Sequence, residues 1–474
     1  MKGVLIQFYS AFVVSLGSFF AGYGVAWPSY TIPLLQSNST PLGVVISPYE
    51  SSLIGSSSMI GSCIATFFGA YLCDTLGRKK TYLLSLLFHV LNWTLVGTAK
   101  TVTQIIVGRL SLGIAMSLQI VVGLVFTSEL SQMSLRGPLI SLVTLLYTLG
   151  VMASYINGWV FSYEVINYLT LSATVVTVIL ASFLKESPAF LVLQGKDEEA
   201  LKCLKFYRGT SQRTKEVLEE MAALQKQKHG GVDDESPENE KLNPNVKQYY
   251  TEDTNAWKLL FTSPPLRRAL LTSVSFFFLL VSCGTVAINV YAGKLFRSAV
   301  PDLSPDLCSV MLAAAVVAGS GAAVVCTDMI GRRVLMISTG VLSSTCLLLL
   351  ATVLRWRWAG QWAVPALVLL YCCVFQLGVA NIPFVQMAES FPSKVKSQVN
   401  TIVGLAMWAA NFVVLALFEP SIQYIGISGT ILSYAVMSVI TTITAALIMK
   451  ETRRVPLEEI LEMYSKGFLY KAKR

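Results

Sequence analysis

Two short charged sequences hold the residues best placed to form ion pairs. One runs from Asp74 to Lys79 (DTLGRK), and the other begins 254 residues later (328 minus 74) and runs from Asp328 to Arg333 (DMIGRR). Each lies between two long apolar runs. Arginine can bind a carboxylate through charge-assisted hydrogen bonds, and glycine lets the chain reverse in a very short loop. The aspartate can cap a helix or pair with the arginine. The repeat predicts two related halves.

The amino-acid composition indicates what kind of protein positions these charged residues. Hydrophobic residues make up 54% of the 474 residues and charged residues only 13%, whereas soluble domains carry about 25% charged residues. The chain is therefore predicted to be an integral membrane protein. Its net charge of +9 is concentrated in a few segments between apolar runs, which indicates cytoplasmic loops rather than nucleic-acid binding. The nine cysteines show no metal-ligand spacing and are interpreted as packing residues.

Twelve apolar runs of about 17–25 residues are each long enough to cross a bilayer. The first lacks a clear cleavage site and is predicted to be a retained span rather than a signal peptide. With both termini in the cytoplasm, the basic residues left in outer loops are Lys100, Lys294, Arg297, Arg355 and Arg357. The predicted spans cover residues 5–27, 51–73, 82–98, 105–128, 138–159, 166–184, 269–291, 307–327, 334–354, 364–387, 399–418 and 427–449.

The spans predict an all-α membrane protein of two six-helix bundles, residues 1–184 and 269–449. Between them, residues 185–268 read as a cytoplasmic linker, with amphipathic helices near residues 200–224 and a flexible acidic stretch from 230 to about 255. Residues 450–474 form a cytoplasmic tail. Asn38-Ser39-Thr40 is an N-glycosylation acceptor if its loop faces outside. We expect a multi-pass protein of the cell membrane.

Six spans, a cytoplasmic linker and six more spans are the layout of the major facilitator superfamily. Over its whole length the chain resembles the sugar porter (glucose-facilitator) family, and most of all the arthropod facilitated trehalose and hexose transporters. Beside the two charged loops, the matching motifs are Arg109 to Gly113 (RLSLG), Glu129 with Arg136-Gly137, Lys185 to Ala189 (KESPA), Ala388 to Pro392 (AESFP) with Lys396, Trp408 to Phe412 (WAANF) and Lys450 to Arg454 (KETRR).

These charges lie at the cytoplasmic ends of spans, where ion pairs within and between the bundles could open and close. Pairs that close when the pore opens outward, and separate into water when it opens inward, would bias a two-state equilibrium by a few kcal/mol each. Topogenic charge and helix capping are the plainer interpretation, and the two are compatible. The predicted gating residues are Arg78, Glu129, Arg136, Glu186, Arg332, Glu389, Lys396 and Glu451.

The resemblance also implies a sugar site near the bilayer midplane, but several amides expected there are absent. Thr144 stands where span 5 would carry an amide, and the corresponding positions of spans 7 and 8 hold Leu280, Val281, Val286 and Val316. This implies weak hexose binding, a less polar ligand or a rearranged site. The remaining candidates for substrate binding are Trp408, Asn411, Gln376, Asn289, Asn381, Phe384, Tyr291 and Thr144, and Tyr291 is also a candidate outer gate.

The sequence favours facilitated diffusion of a sugar (hexose or trehalose) or a related polyol by alternating access. There is no ATP-binding loop, no Asp or Glu lies in the middle of a span, and Gly24 stands where proton-coupled sugar porters carry an aspartate after Gly-Tyr. A proton-coupled symporter and a transporter-like solute sensor with little flux remain alternatives. We expect no enzymatic activity, no cofactor or metal, no nucleic-acid partner and no obligate protein partner. The expected partners are the sugar and the lipid bilayer.

Overall fold

The computed structural model describes residues 2–210, 215–228, 256–299, 304–360, 362–453 and 455–468. Within these ranges every regular element is a helix. The acidic stretch predicted to be flexible, residues 230–255, lies outside the described residues.

The first half of the chain forms seven helices followed by three short helices in the linker. Two of the short helices, Asp197–Arg208 and Lys215–Lys228, lie in the segment where amphipathic surface helices are predicted. The bounds are α1 (Lys2–Ala26), α2 (Pro28–Leu35), α3 (Pro48–Leu76), α4 (Arg78–Gly97), α5 (Val102–Leu130), α6 (Met133–Val160), α7 (Tyr163–Ser182), α8 (Pro188–Leu193), α9 (Asp197–Arg208) and α10 (Lys215–Lys228).

The second half repeats the pattern, with two of its spans broken into shorter helices. Predicted span 7 consists of two helices, Pro264–Ser282 and Thr285–Val290, and predicted span 10 also consists of two, Ala363–Leu377 and Ile382–Ser390. The bounds are α11 (Ala256–Thr262), α12 (Pro264–Ser282), α13 (Thr285–Val290), α14 (Ala292–Ala299), α15 (Pro305–Ile330), α16 (Arg332–Trp356), α17 (Ala363–Leu377), α18 (Ile382–Ser390), α19 (Ser393–Ile448) and α20 (Leu457–Ser465).

Ten helical stretches of the described chain are long and apolar enough to cross a membrane. One of them, Lys394–Ile448, has 55 residues and would be roughly 80 Å long if straight, far more than the ~30 Å hydrocarbon core. Its backbone leaves helical geometry at Gly426, where φ is 72°, so it consists of two helices joined at this residue. The 20-residue helix α4, which corresponds to predicted span 3, is not one of the ten stretches.

The chain forms two compact units. The first contains Met1–Trp27 and Ser57–Lys241, and the second contains Pro28–Ser56 and Leu242–Arg474. The chain thus leaves the first unit after α1, contributes α2 and the start of α3 to the second unit, and returns at Ser57.

Glycines let helices of the first unit touch backbone to backbone. A Cβ atom on Gly22 of α1 would collide with the Tyr147 carbonyl of α6, and one on Gly150 of α6 would collide with the Phe19 carbonyl of α1. In lipid, where apolar burial gives no driving force between helices, such close approach supplies much of the association energy through dispersion contacts.

The three linker helices are fastened to the first unit. Phe190, Leu204, Val217 and Met221 share one apolar cluster on α8, α9 and α10. Gln7 of α1 donates from Nε2 to the Tyr207 carbonyl at 3.1 Å and accepts from the Gln132 N–H at 2.9 Å. The linker helices therefore form a fixed part of this unit.

Candidate functional site

In the first unit, the first residue of α4 is a buried arginine that lies against a glutamate of α5. Arg78 Nε lies 2.9 Å from Oε2 of Glu129, and Nη2 lies 3.0 Å from Oε1. Its Nη1 donates to the Cys73 carbonyl at 3.1 Å and lies 3.3 Å from the exposed carboxylate of Asp74. The guanidinium thus makes the two-point carboxylate contact for which its planar shape is suited.

A second acidic residue of the first unit caps α4. Glu186 Oε1 accepts the backbone N–H of Lys79 at 3.0 Å, a first-turn donor without a partner inside the helix. The next residue, Ser187, donates its hydroxyl to Glu129. Gly77 precedes the helix with φ 97°, and a Cβ there would collide with Glu186 Oε2. One network therefore joins α3, α4, α5 and the start of α8.

The second unit contains the same network. Arg332 Nη2 lies 2.9 Å from Glu389 Oε1, and Nη1 donates to the Thr327 carbonyl at 3.1 Å. Glu451 accepts the backbone N–H groups of Arg332 and Arg333, each at 3.1 Å. Thr452 takes the place of Ser187 and donates to Glu389. We call the end of each unit that carries its network the basic end, and the opposite end the distal end.

Several predicted gating residues make contacts other than ion pairs in this structure. Glu186 and Glu451 accept backbone N–H groups, because their short loops lie against the first turns of α4 and α16. Arg136 is exposed and donates to the Ser128 carbonyl at 3.1 Å. Lys396 is exposed, and among the residues that the structure describes neither Arg136 nor Lys396 forms an ion pair. The Arg78–Glu129 and Arg332–Glu389 pairs each join residues of one unit.

The predicted substrate residues of the second unit cluster around the break in span 10 and on α19. Trp408 and Asn411 lie three residues apart on α19, hence on one face, and both are buried. Asn411 Nδ2 donates to the Met407 carbonyl at 2.9 Å, while Oδ1 is buried without a hydrogen-bond partner among the described residues. Asn411 therefore retains an unused acceptor.

The break in span 10 orders three other candidates. Between α17 and α18, Asn381 Nδ2 donates to the Gln376 carbonyl that the interrupted helix leaves open. Phe384 is 46% exposed, and its ring meets Phe277 edge-on with centroids 4.6 Å apart. The prediction that Gly378 and Pro383 interrupt this span is confirmed.

Span 7 is interrupted at Gly284, as predicted. Gly284 has φ 81°, and the ring of Tyr434 fills the place where its Cβ would be. The Tyr371 hydroxyl lies 2.8 Å from the Cys283 carbonyl and 2.7 Å from Thr285 Oγ1, so it satisfies backbone left open by the break.

The remaining substrate candidates lie just after the break in span 7, in or beside α13, and on α6. Tyr291 is buried at the end of α13 and stacks on Phe418 with ring centroids 4.3 Å apart, while Asn289 is half-buried and Thr144 of α6 in the first unit is exposed. Asn38 is exposed in a turn after α2.

Arg109 is a fully buried cation of α5 in the first unit. It donates to the Gly24 carbonyl of α1, lies 3.4 Å from Ser58 Oγ, and is placed over the ring of Trp27 at 5.7 Å. The residue at position 24 therefore meets this arginine with its backbone oxygen.

Comparison with known proteins identifies the family. The family model described as "Sugar (and other) transporter" matches residues 10–464. The chain belongs to this family. The family is one of sugar (and other) transporters, and not of enzymes.

Individual relatives agree with this assignment. The chain is 24% identical over 462 residues to a facilitated trehalose transporter of Drosophila virilis, an alignment that covers 96% of this chain and 48% of that protein. It is 28% identical to plastidic glucose transporter 4 of Arabidopsis thaliana, covering 94% and 78%. The chain thus spans about half the length of the first relative.

Solved structures show the same fold. The inward open xylose transporter XylE from E. coli matches with a TM-score of 0.76 at 17% identity, covering 96% of this chain and 99% of that one. The proton:xylose symporter XylE bound to 6-bromo-6-deoxy-D-glucose matches with a TM-score of 0.73 at 18% identity, covering 98% and 100%.

The ion pair between Lys294 and Glu419 lies outside the motifs that the sequence analysis identified. Predicted span 11 ends at Phe418, whereas α19 continues through Glu419. Lys294, assigned to an outer loop from the sequence, lies in α14 and pairs with Glu419. An acidic residue directly after an apolar run, with a lysine near the end of another run, was the only available signal.

Proposed function

We propose that this transporter is a facilitative carrier of a sugar (hexose or trehalose) or a related polyol that works by alternating access. A central site would open to one side of the membrane and then to the other, and the substrate would move down its own gradient. Relatives named as a facilitated trehalose transporter and a plastidic glucose transporter support the substrate class.

The contact between Arg109 and Gly24 carries the proposal of uniport. By the family resemblance, proton-coupled sugar porters have an aspartate at the position of Gly24. Here the guanidinium of Arg109 binds the Gly24 backbone carbonyl and the Trp27 ring. A carbonyl does not exchange a proton with water at physiological pH, so this position offers no proton-coupling group.

The repeated networks supply the proposed gate at the basic ends. Arg78–Glu129 and Arg332–Glu389 are partly desolvated, with arginine side chains 7% and 11% exposed. Charge-assisted hydrogen bonds of this kind are each worth about 1.5–3 kcal/mol. Rearranging them would therefore change the balance between two states of the carrier.

The proposed substrate contacts are Trp408 and Asn411 with Gln376, Asn289, Asn381, Phe384, Tyr291 and Thr144. Asn411 is the strongest of these, because its buried Oδ1 is an acceptor without a partner among the described residues. An incoming hydroxyl group would satisfy it, whereas leaving it unsatisfied costs about 1–3 kcal/mol.

We also propose that the basic ends and both termini face the cytoplasm and that the protein resides in the cell membrane. Arg78, Lys79, Lys80, Arg332 and Arg333 flank helices at the basic ends, and basic residues in short loops are retained on the cytoplasmic side. Asn38 would then be outside and open to glycosylation.

Uptake by proteoliposomes tests this function. Radiolabelled glucose, fructose, xylose, trehalose and sorbitol would be offered separately, with a pH-sensitive dye in the medium. We expect saturable uptake of at least one of them with no change in external pH. Alkalinisation of the medium in step with uptake would show symport and contradict the proposal.

A solute sensor with little flux is the second candidate function. It is favoured by four apolar residues at positions where the family resemblance places amides. Leu280 and Val281 are buried, and Val286 and Val316 likewise lack the amides expected of a sugar site. A sensor would bind one of the five solutes offered to the proteoliposomes, and binding would raise the unfolding temperature of the protein. The same solute would not be taken up faster than in liposomes without the protein.

A further inference from the structure

The distal end of the second unit contains a buried ion pair. Lys294 Nζ lies 2.7 Å from Glu419 Oε1 and also bonds Oε2. The Glu419 side chain is only 2% exposed and that of Lys294 is 29% exposed. Glu419 follows Pro392 by 27 residues (419 minus 392) along α19, roughly 40 Å of helix, so the pair lies far from the network around Arg332.

A third group binds the same carboxylate from the first half of the chain. Ser51, in the first turn of α3, donates its hydroxyl to Glu419 Oε1 at 3.2 Å. Glu419 thus receives donors from α14 and α3. A buried carboxylate is tolerated only when charge and hydrogen bonds compensate it, so the three groups depend on one another.

Further contacts attach the segment Pro28–Ser56 to the same place. Ser29 Oγ accepts the Gly293 N–H at 2.9 Å, and Gly55 lies against the Tyr291 hydroxyl, which a Cβ there would strike. Tyr291 in turn stacks on Phe418, next to Glu419. The small residues Ser29 and Gly55 let the segment approach the stacked rings of Tyr291 and Phe418 closely, and this places it next to the ion pair.

The segment Pro28–Ser56 belongs to the second unit, and the chain returns to the first unit at Ser57. Movement of α3 away from α14 and α19 at the distal end would part these contacts. Water must then replace the protein donors around Glu419, which is favourable only when that end opens far enough to hydrate the carboxylate.

We propose that Lys294, Glu419 and Ser51 form a distal latch, an ionic gate that holds the distal end of the transporter closed and parts whenever that end opens. The proposal rests on the alternating access proposed above. The latch complements the arginine–glutamate networks, since it acts at the other end and lies outside the repeated motifs.

Cysteine accessibility tests the latch without reference to any sugar. Ser52 is buried next to Ser51, and its hydroxyl has no hydrogen-bond partner among the described residues, so Ser52→Cys is a mild reporter. The full-length protein carrying this reporter, in proteoliposomes without sugar, is treated with a membrane-impermeant maleimide. Labelling of the same protein without the reporter is subtracted.

Glu419→Gln leaves Lys294 without its counter-charge and is expected to raise the labelling rate about tenfold or more. The exchanged pair, Lys294→Glu with Glu419→Lys, should return the rate toward that of the parent. Arg297→Gln is the matched control, because it removes an exposed charge one turn along α14 and should leave the rate unchanged.

Equal labelling rates in the parent and Glu419→Gln would overturn the proposal, as would an exchanged pair that labels as fast as the single variant. If Glu419→Gln does not fold, as judged by thermal unfolding, Ser51→Ala keeps the test open, since it removes one hydrogen bond and should raise labelling about threefold. If Glu419→Gln changes the labelling rate as expected but the protein takes up no sugar, the result would count against the proposed function and not against the latch.

Discussion

At the scale of single residues, Gly77 and Gly331 hold the start of each network in place. Both have φ near 100°, and Glu186 and Glu451 lie against them. The backbone conformation and the cap therefore depend on each other. A side chain here would strain the backbone and displace the carboxylate that satisfies the next helix.

Gly77→Ala is expected to lower the free energy of unfolding by about 1–3 kcal/mol, because its Cβ would also displace Glu186. Gly331→Ala should cost less, since its Cβ would lie 3.1 Å from Glu451 Oε2. Gly137→Ala, in an open position of α6, is the control and should be neutral or stabilising. Thermal unfolding in detergent measures all three, and equal effects for Gly77→Ala and Gly137→Ala would contradict this account.

The arginine–glutamate pairs lead to a second prediction at this scale. Glu389→Gln and Arg332→Ala should slow sugar uptake about tenfold while leaving the amount of protein at the membrane unchanged, because each removes a charge-assisted contact worth about 1.5–3 kcal/mol. Lys396→Ala, an exposed lysine that follows the same motif, is the control. If both variants take up sugar at the wild-type rate with equal amounts of protein in the membrane, the arginine–glutamate pairs are not part of the gate.

At the scale of elements, the C-terminal helix α20 is clamped at its end by two cations. Arg268 donates to the carbonyls of Tyr464 and Ser465 at 2.9 and 2.7 Å, and Lys450 donates to those of Gly467 and Phe468 at 3.0 and 2.9 Å. Cations at a helix C-terminus bind carbonyls left open by the last turn. Burial raises the pKa of Tyr464 to about 12, so its hydroxyl stays protonated.

Arg268→Ala is expected to release α20 and speed its cleavage by protease about tenfold, since it removes two hydrogen bonds from a charged donor. Lys466→Ala breaks an exposed pair with Glu462 on the same helix, worth only about 0.3–0.5 kcal/mol, and should leave cleavage unchanged. Cleavage at the same rate in Arg268→Ala and wild type would show that the clamp does not hold the helix.

The break in span 7 depends on the hydroxyl of Tyr371. Tyr371→Phe should lower the free energy of unfolding by about 1–3 kcal/mol, because the buried carbonyl of Cys283 loses its hydrogen-bond donor. Tyr424→Phe makes the same change at a residue that is 88% exposed and should have little effect. Thermal unfolding compares the two, and a neutral Tyr371→Phe would mean that the break needs no such partner.

At the scale of the whole molecule, the sequence was sufficient for the fold. Apolar length and basic loops predicted the spans, and the helix breaks at Gly284 and Gly378 followed from glycine and proline. These signals are local in the chain. The short loop expected between spans 11 and 12, residues 419–426, is instead helical up to Gly426, where the backbone turns within a single residue.

The site was less predictable, because its contacts join distant segments. The partners of Arg78 and Arg332 could be anticipated, since a repeated motif marks them. Helix capping was the plainer interpretation of these charges, but the N–H groups that Glu186 and Glu451 cap could not be predicted, because they depend on how two loops meet. Glu419 was overlooked for the same reason, as Lys294 and Ser51 lie 125 residues (419 minus 294) and 368 residues (419 minus 51) away in the chain.

Countertransport tests the central claim of a facilitative sugar carrier most directly. Proteoliposomes are loaded with unlabelled trehalose or hexose and diluted into a trace of the same labelled sugar, with equal pH on both sides. The account predicts a transient accumulation of label above the equilibrium level, driven only by the outward flow of unlabelled sugar. Label that never exceeds equilibrium for any sugar in the panel, with folded protein in the membrane, would contradict it.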